Sequence, residues 1–154
     1  MLPVYDRDAM VYYVARAFAR PGRLYLNPKN GAMPKTASEV LFNFGVAELY
    51  GRGTLVEGYF DALAEAPVGV ANFGSTLSDA QLALIAAACR RRPLDWTVKR
   101  DGDGTVSRAA MFAMARQCQA AGARSVRVDV PVGDPADRLG VASSEPYSFS
   151  AMIA

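Results

Sequence analysis

Thr54–Val70 reads T-L-V-E-G-Y-F-D-A-L-A-E-A-P-V-G-V, and its conformation decides how the rest of the chain is assembled. Thr54 and Glu57 have the spacing of a capping box, in which each end satisfies the other's orphan backbone donor. That reading makes Leu55–Ala66 a helix stopped by Pro67. Gly58 opposes it, because glycine inside a helix costs about 1 kcal/mol relative to alanine. A strand over Leu55–Phe60 leading into a tight connection is the rival, and propensity favours the helix. Val68–Phe73 follows as a short strand released at Gly74.

Upstream, Met1–Asp8 is a short lead-in. Val11–Val14 fits a buried strand, while the spacing of Met10, Tyr13, Val14, Ala17 and Phe18 fits a helix equally well. Pro21-Gly22 stops that element, and Arg23–Lys35 is loop, with Arg23–Leu26 as a possible short edge strand. Thr36 with Glu39 forms a capping box, and Val40, Leu41, Phe44, Ala47 and Leu49 follow near helical spacing, which predicts a helix over Ala37–Tyr50.

Downstream, Ser78 and Gln81 box the start of a helix whose last turn carries Arg90, Arg91 and Arg92, placed to complement the helix dipole. Asp95–Lys99 is a strand, Ser107–Ala121 a helix closed by Gly122, and Ser125–Val130 a strand. The last of these alternates, with Val126, Val128 and Val130 on one face and Arg127 and Asp129 on the other. This order predicts an α+β chain with a three- to five-stranded, mostly antiparallel sheet and helices packed mainly on one face, in a ferredoxin-like arrangement. Residues 1–154 read as one domain, with 131–154 a non-periodic tail packed on the core or on a neighbouring subunit.

Composition narrows the chemistry. About half the residues are apolar and the net charge is +2, so the chain is globular and carries no electrostatic footprint of a nucleic-acid partner. Histidine is absent, which removes Ser-His-Asp and Cys-His catalysis and the usual zinc hydrolases. Cys89 and Cys118 are far apart in sequence, outside any CxxC pattern, and read as core packing. No signal peptide or membrane span is visible, and a cytoplasmic protein is the expectation. Asp101–Gly104, D-G-D-G, lacks the later glutamate of a calcium loop and reads as a turn. Arg90–Arg92 reads as a solvated helix terminus rather than a phosphate contact. Neither a metal nor a cofactor is expected.

The order of several pieces resembles the phage-type S-adenosylmethionine lyases. They are Ala9–Val14 with Ala17-Phe18, Leu49-Tyr50-Gly51, Gly58-Tyr59-Phe60-Asp61, Glu65–Val70, the helix from Ala80-Gln81 to Cys89, and Val130–Pro135. The resemblance implies a tyrosine on one strand and a glutamate at the start of the next, with sites between the subunits of a trimer. Carried over, Tyr59 (or Phe60, in a register shifted by one) takes the aromatic role and Glu65 the acidic one. The implied reaction is intramolecular: the substrate's carboxylate displaces the sulfonium leaving group, giving methylthioadenosine and homoserine lactone. Orientation of the substrate would then supply most of the catalysis, and an aromatic face would hold the cationic sulfur. The alternative is a non-enzymatic, homo-oligomeric phage protein of virion assembly or host inhibition, motivated by the apolar residues of the tail.

Overall fold

The computed structural model describes residues 1–6, 8–16, 25–29, 31–100, 107–129 and 147–148. Its N-terminal part is a small antiparallel sheet of β1 (Leu2–Asp6), β2 (Ala9–Arg16) and β3 (Tyr25–Leu26) in that order. Val11–Val14 is therefore strand. Val4, Val11, Tyr12 and Val14 bury against Val40, a cluster that a helix over the same residues would not assemble. Thr36 and Glu39 do form their capping box, but around a single 3₁₀ turn, Ala37–Glu39.

The expected long helix over Ala37–Tyr50 is interrupted between Val40 and Asn43, and α1 spans only Phe44–Tyr50. Tertiary contacts override the period here. Phe42 N–H bonds to the Ala71 carbonyl, and Asn43 adopts a left-handed conformation at φ 59°. The Asn43 side-chain amide donates to the carbonyls of Pro67 and Gly69 at 2.8 and 2.9 Å. Each amide hydrogen bond adds roughly 1 kcal/mol, enough to offset the propensity of so short a segment.

The second sheet has the order β5-β4-β6-β7-β8. Its strands are β4 (Arg52–Val56), β5 (Gly69–Ala71), β6 (Asp95–Lys99), β7 (Ser125–Asp129) and β8 (Tyr147–Ser148), with helices α2 (Tyr59–Ala64), α3 (Asp79–Arg91) and α4 (Arg108–Ala120) between the first four. The α+β class and the five strands agree with the sequence reading, but the direction of pairing does not. β4–β5, β4–β6 and β6–β7 are parallel, and within this sheet only β7–β8 is antiparallel. The reason lies in the connections: each strand from β4 to β7 is joined to the next through a helix, and such crossovers return the chain in the same direction.

Thr54–Val70 resolves into the end of β4, the helix α2 and the start of β5, so Leu55–Ala66 is neither all helix nor a strand through Phe60. Leu55 and Val56 are buried in β4, and α2 starts only at Tyr59. Its working cap is at Gly58, whose N–H donates to Asp61 Oδ2 at 3.0 Å. Gly69 then lets β5 pass beneath α2, where a Cβ would fall 2.0 Å from the Ala62 carbonyl oxygen.

Leu55, Val70, Trp96, Val98, Val126 and Val128 share one core with residues of α1, α3 and α4. Val56 and Ala71 instead pack with Ala62 of α2, on the opposite face, because successive strand residues point to opposite sides. Gly53 faces Trp96 across the β4–β6 ladder, and a Cβ there would lie 2.5 Å from the indole ring. Trp96 in turn stacks on Phe44, with centroids 6.2 Å apart. Among the described residues no helix is long and apolar enough to cross a membrane. The tail from 131 lies outside the described residues except for Tyr147–Ser148, which pairs with β7.

Candidate functional site

Parallel α/β sheets place their ligands beyond the carboxyl ends of the strands, where connecting loops converge. Here that region is a cleft of about 140 Å³ lined by Val56, Glu57, Asp61, Ala64, Glu65, Lys99 and Arg100. Glu57 is the first residue after β4 and Arg100 the first after β6. The register aligns Leu55 with Val98, so the two ends come level on neighbouring strands.

The backbone around Glu57 is held from β5. Asn72 N–H donates to the Val56 carbonyl at 3.1 Å and Phe73 N–H to the Glu57 carbonyl at 3.0 Å. Phe73 makes that second bond from a left-handed conformation, φ 58°, a strain of about 1 kcal/mol or more for a bulky residue. The Glu57 side chain is left facing solvent, 47 % exposed.

The bases are anchored differently. Arg100 is buried, at 3 % exposure. Its Nη1 lies 3.4 Å from Asn72 Oδ1 and 3.9 Å from Glu57 Oε2, and its Nη2 lies 3.1 Å from Met114 Sδ. Asn72 is fixed in turn, donating from Nδ2 to the Thr76 carbonyl and accepting at its own carbonyl from Gln81 Nε2. Lys99 Nζ sits 2.5 Å from Glu65 Oε1, which closes one side of the cleft. The lining thus sets Glu57, Asp61 and Glu65 against Lys99 and Arg100, a mixed-charge cleft in which a guanidinium and an ammonium can hold phosphate oxygens and the carboxylates favour a cation beside them.

The residues singled out from sequence divide. Glu65 caps the C-terminus of α2 and lines the cleft. Tyr59 begins α2 and is buried, with its ring 4.1 Å from that of Phe42, and burial raises its phenol pKa. Phe60 stands next to it, partly exposed. Tyr59 and Phe60 do not line the cleft with Glu65. The turn read at Asp101–Gly104 lies outside the described residues. Glu57, Asn72, Lys99 and Arg100 escaped the sequence reading, which used Glu57 only as a capping partner. A residue that directly follows a strand ending in buried Leu-Val was the available signal.

No known family profile and no curated protein matches the chain. Solved structures do. A structure of the Aquifex aeolicus primase, comprising its zinc-binding and RNA polymerase domains, matches 89 % of this chain at 26 % identity with a TM-score of 0.67. The DnaG catalytic core matches 89 % at 22 % identity and 0.64, and the Escherichia coli primase catalytic core matches 98 % at 21 % identity and 0.66. The chain spans 35 %, 46 % and 53 % of those structures in turn, so it corresponds to about a third to a half of each.

These likenesses overturn the S-adenosylmethionine lyase reading, and the geometry gives the physical reason. The lyase pattern needs its tyrosine on one strand and its glutamate at the start of the next, whereas Tyr59 opens a helix and Glu65 caps the same helix. The S-adenosylmethionine substrate, the anti-restriction role and the lyase-type trimer fall with it. The virion or host-inhibitor alternative gains no support, and the exclusion of nucleic acid as a partner is withdrawn, since all three neighbours are primase cores.

Proposed function

We propose that this chain is the nucleotidyl-transfer module of a primase-like, TOPRIM-related enzyme, with nucleoside triphosphates and a nucleic-acid strand as substrates. The observation that carries the proposal is the likeness to the Aquifex primase over 89 % of the chain. The cleft at the ends of β4 and β6 supports it by offering the charges such chemistry needs. In nucleotidyl transfer a 3′-hydroxyl attacks the α-phosphorus of a triphosphate; pyrophosphate leaves, and the hydroxyl proton passes to solvent or to a base. Negative charge builds on the phosphoryl oxygens, and fixed cations offset it.

Arg100 and Lys99 are the cations assigned to that role, with Asn72 orienting Arg100. A divalent cation, when bound, would supply Lewis-acid polarisation of the phosphoryl oxygens. Hard cations of this kind take carboxylate ligands. Among the described residues no cluster of three metal-binding side chains occurs, so Glu57 alone is insufficient. The sequence continues from Arg100 into Asp101 and Asp103, which lie outside the described residues; their carboxylates are the ligand type a hard cation takes, and with Glu57 they are the candidates to hold it.

The test is template-dependent RNA synthesis on single-stranded DNA with magnesium and ribonucleotides, alongside binding of a fluorescent triphosphate. Glu57→Gln and Asp101→Asn are each expected to lower synthesis at least about 100-fold, the scale of losing a key electrostatic group, with the melting temperature retained. Equal activity of wild type and Glu57→Gln would reject the assignment. Absence of both synthesis and magnesium-dependent triphosphate binding in the wild type would reject the function.

A further inference from the structure

The sheet has a second polar concavity, on the face occupied by α2 but farther along the strands, toward their amino ends. It encloses about 260 Å³ and is lined by Arg52, Thr54, Asp95, Thr97, Ser125 and Arg127, with Val68 and the backbone around Gly53 and Trp96. The strand register explains its order. Arg52, Asp95 and Ser125 are aligned across β4, β6 and β7, and Thr54, Thr97 and Arg127 form the next row. Residues two apart on a strand share a face, so the six side chains make a polar patch two rows deep and three strands wide.

Such a patch is unusual on this architecture. All-parallel strands are normally covered on both faces and read as continuous apolar runs. Here the face packed by α1, α3 and α4 is apolar throughout, with Trp96, Val98, Val126 and Val128 at 2 % exposure or less. The opposite face of β6 and β7 carries Asp95, Thr97 and Lys99, then Ser125, Arg127 and Asp129. Among the described elements, α2 packs against β4 and β5. The polarity of the remaining face therefore fits an ionic occupant better than a packed helix.

The charge balance gives the sign of that occupant. Asp95 is the sole carboxylate lining the concavity, and it is already neutralised on its flank. Arg124 donates to it from both Nε, at 2.9 Å, and Nη2, and Ser125 Oγ donates at 2.7 Å. Arg52 and Arg127, both exposed, remain as cations on diagonal corners, with the hydroxyls of Thr54 and Thr97 between them. Two guanidinium groups flanking two hydroxyls form a donor set for a phosphate group.

We propose that the Arg52–Arg127 concavity is a phosphate-binding subsite, distinct from the Glu57 cleft and lying on the same two strands, β4 and β6. From Arg52 to Glu57 the chain rises five residues, about 16 Å at 3.3 Å each. A single strand of nucleic acid leaving the cleft would cover that distance within a few nucleotides, so the backbone of a bound strand is the source of phosphate expected. The triphosphate tail of a free nucleotide presents the same chemistry. The choice of ligand rests on the function proposed above, but the existence of an oxyanion site does not.

The experiment separates these sources without using catalysis. Fluorescence anisotropy of the full chain is measured with a labelled single-stranded 12-mer and with a labelled triphosphate, without a divalent cation and across a salt series. The double variant Arg52→Gln/Arg127→Gln is expected to bind the 12-mer about 10-fold more weakly, with a salt slope lower by roughly 1 to 2. The melting temperature should hold, since both side chains are exposed, and Arg52→Lys/Arg127→Lys should recover most of the salt slope. Loss of triphosphate affinity instead of 12-mer affinity would keep the subsite and make the free nucleotide its ligand. Unchanged affinity for both ligands, or no binding of either by the wild type at low salt, would overturn it. A wild type that binds the 12-mer through these arginines but shows neither RNA synthesis nor magnesium-dependent triphosphate binding would refute the polymerase reading and leave the subsite standing.

Discussion

Trp96 and Thr97 are neighbours on β6 and face opposite sides of one sheet. Trp96 is 2 % exposed, lies over Gly53 and stacks on Phe44. Thr97 is half-buried and opens onto a polar concavity between Thr54 and Arg127. One face is therefore a close-packed core, whereas the other is apolar only under α2, where Val56, Ala62 and Ala71 pack, and over β6 and β7 it is a surface of hydrogen-bonding and charged groups. The difference teaches where each kind of information sits: stability on the side of α1, α3 and α4, and candidate chemistry on the other side and at the strand ends.

The sharpest way to break that contrast is a pair of truncations. Trp96→Ala should destabilise the fold by about 3–5 kcal/mol, the range for removing a buried aromatic ring. Thr97→Ala should change it by less than about 1 kcal/mol, as a substitution that opens no cavity. Urea unfolding of both variants decides it; comparable losses would mean that the two faces are equally structural.

Gln81 gives a smaller effect at the junction of the two sheets. It is a buried polar side chain, 1 % exposed. Its Nε2 donates to the carbonyls of Ala37, Val40 and Asn72 at 3.1, 2.8 and 2.9 Å, while Oε1 accepts from Ser78 N–H at 3.1 Å. One residue thus caps α3, fastens the linker from the N-terminal hairpin, and holds the Asn72 that contacts Arg100. Gln81→Leu would keep the volume but leave buried carbonyls unpaired, and should destabilise by about 1–3 kcal/mol. Because Asn72 is shared with the cleft, triphosphate binding should weaken as well. A loss of stability with unchanged binding would show that the cleft is independent of this junction.

The same residue marks how much was legible beforehand. The Ser78–Gln81 capping box is a local pattern, and α3 begins where the spacing predicted it. β6 matches Asp95–Lys99, and the alternation from Ser125 gave the buried faces of β7. Gln81's three carbonyl partners lie 9 to 44 residues away, and nothing local announces them. The helix expected over Ala37–Tyr50 failed for a similar reason, since Val40 and Leu41 belong to different cores. Leu55–Ala66 misled through a spacing coincidence. Thr54–Glu57 imitates a cap, while Thr54 is buried in mid-strand and the cap is made by Gly58 and Asp61. Taking that imitation at face value turned Glu57 into a helix-end partner and hid it as a candidate ligand at the end of a strand. Glu65 was singled out for a reaction that the likenesses contradict, and it lines the cleft beside Lys99.

The smallest expected effect probes whether Asp95 is as fully neutralised as the phosphate subsite requires. The Arg124 guanidinium, with help from Ser125 and the charges of Arg124 and Arg127, lowers the Asp95 pKa against the opposing effect of burial. A carboxyl whose folded pKa lies below its unfolded value near 3.9 contributes stability above that value and loses it as pH falls through the folded one. The Asp95 and Arg124 side chains are 34 % and 60 % exposed, and solvent screening keeps the contribution below about 1 kcal/mol. Arg124→Gln should therefore lower the urea midpoint slightly at pH 6, and the difference from the wild type should shrink as the pH falls through the lowered Asp95 pKa. The same variant frees a carboxylate beside Arg52 and Arg127, so it should also weaken 12-mer binding at neutral pH, by about 2- to 5-fold if the interaction changes by several tenths of a kcal/mol. A midpoint difference independent of pH would mean that Arg124 stabilises through packing, and an unchanged 12-mer affinity would mean that Asp95 is too remote to shape the subsite's charge.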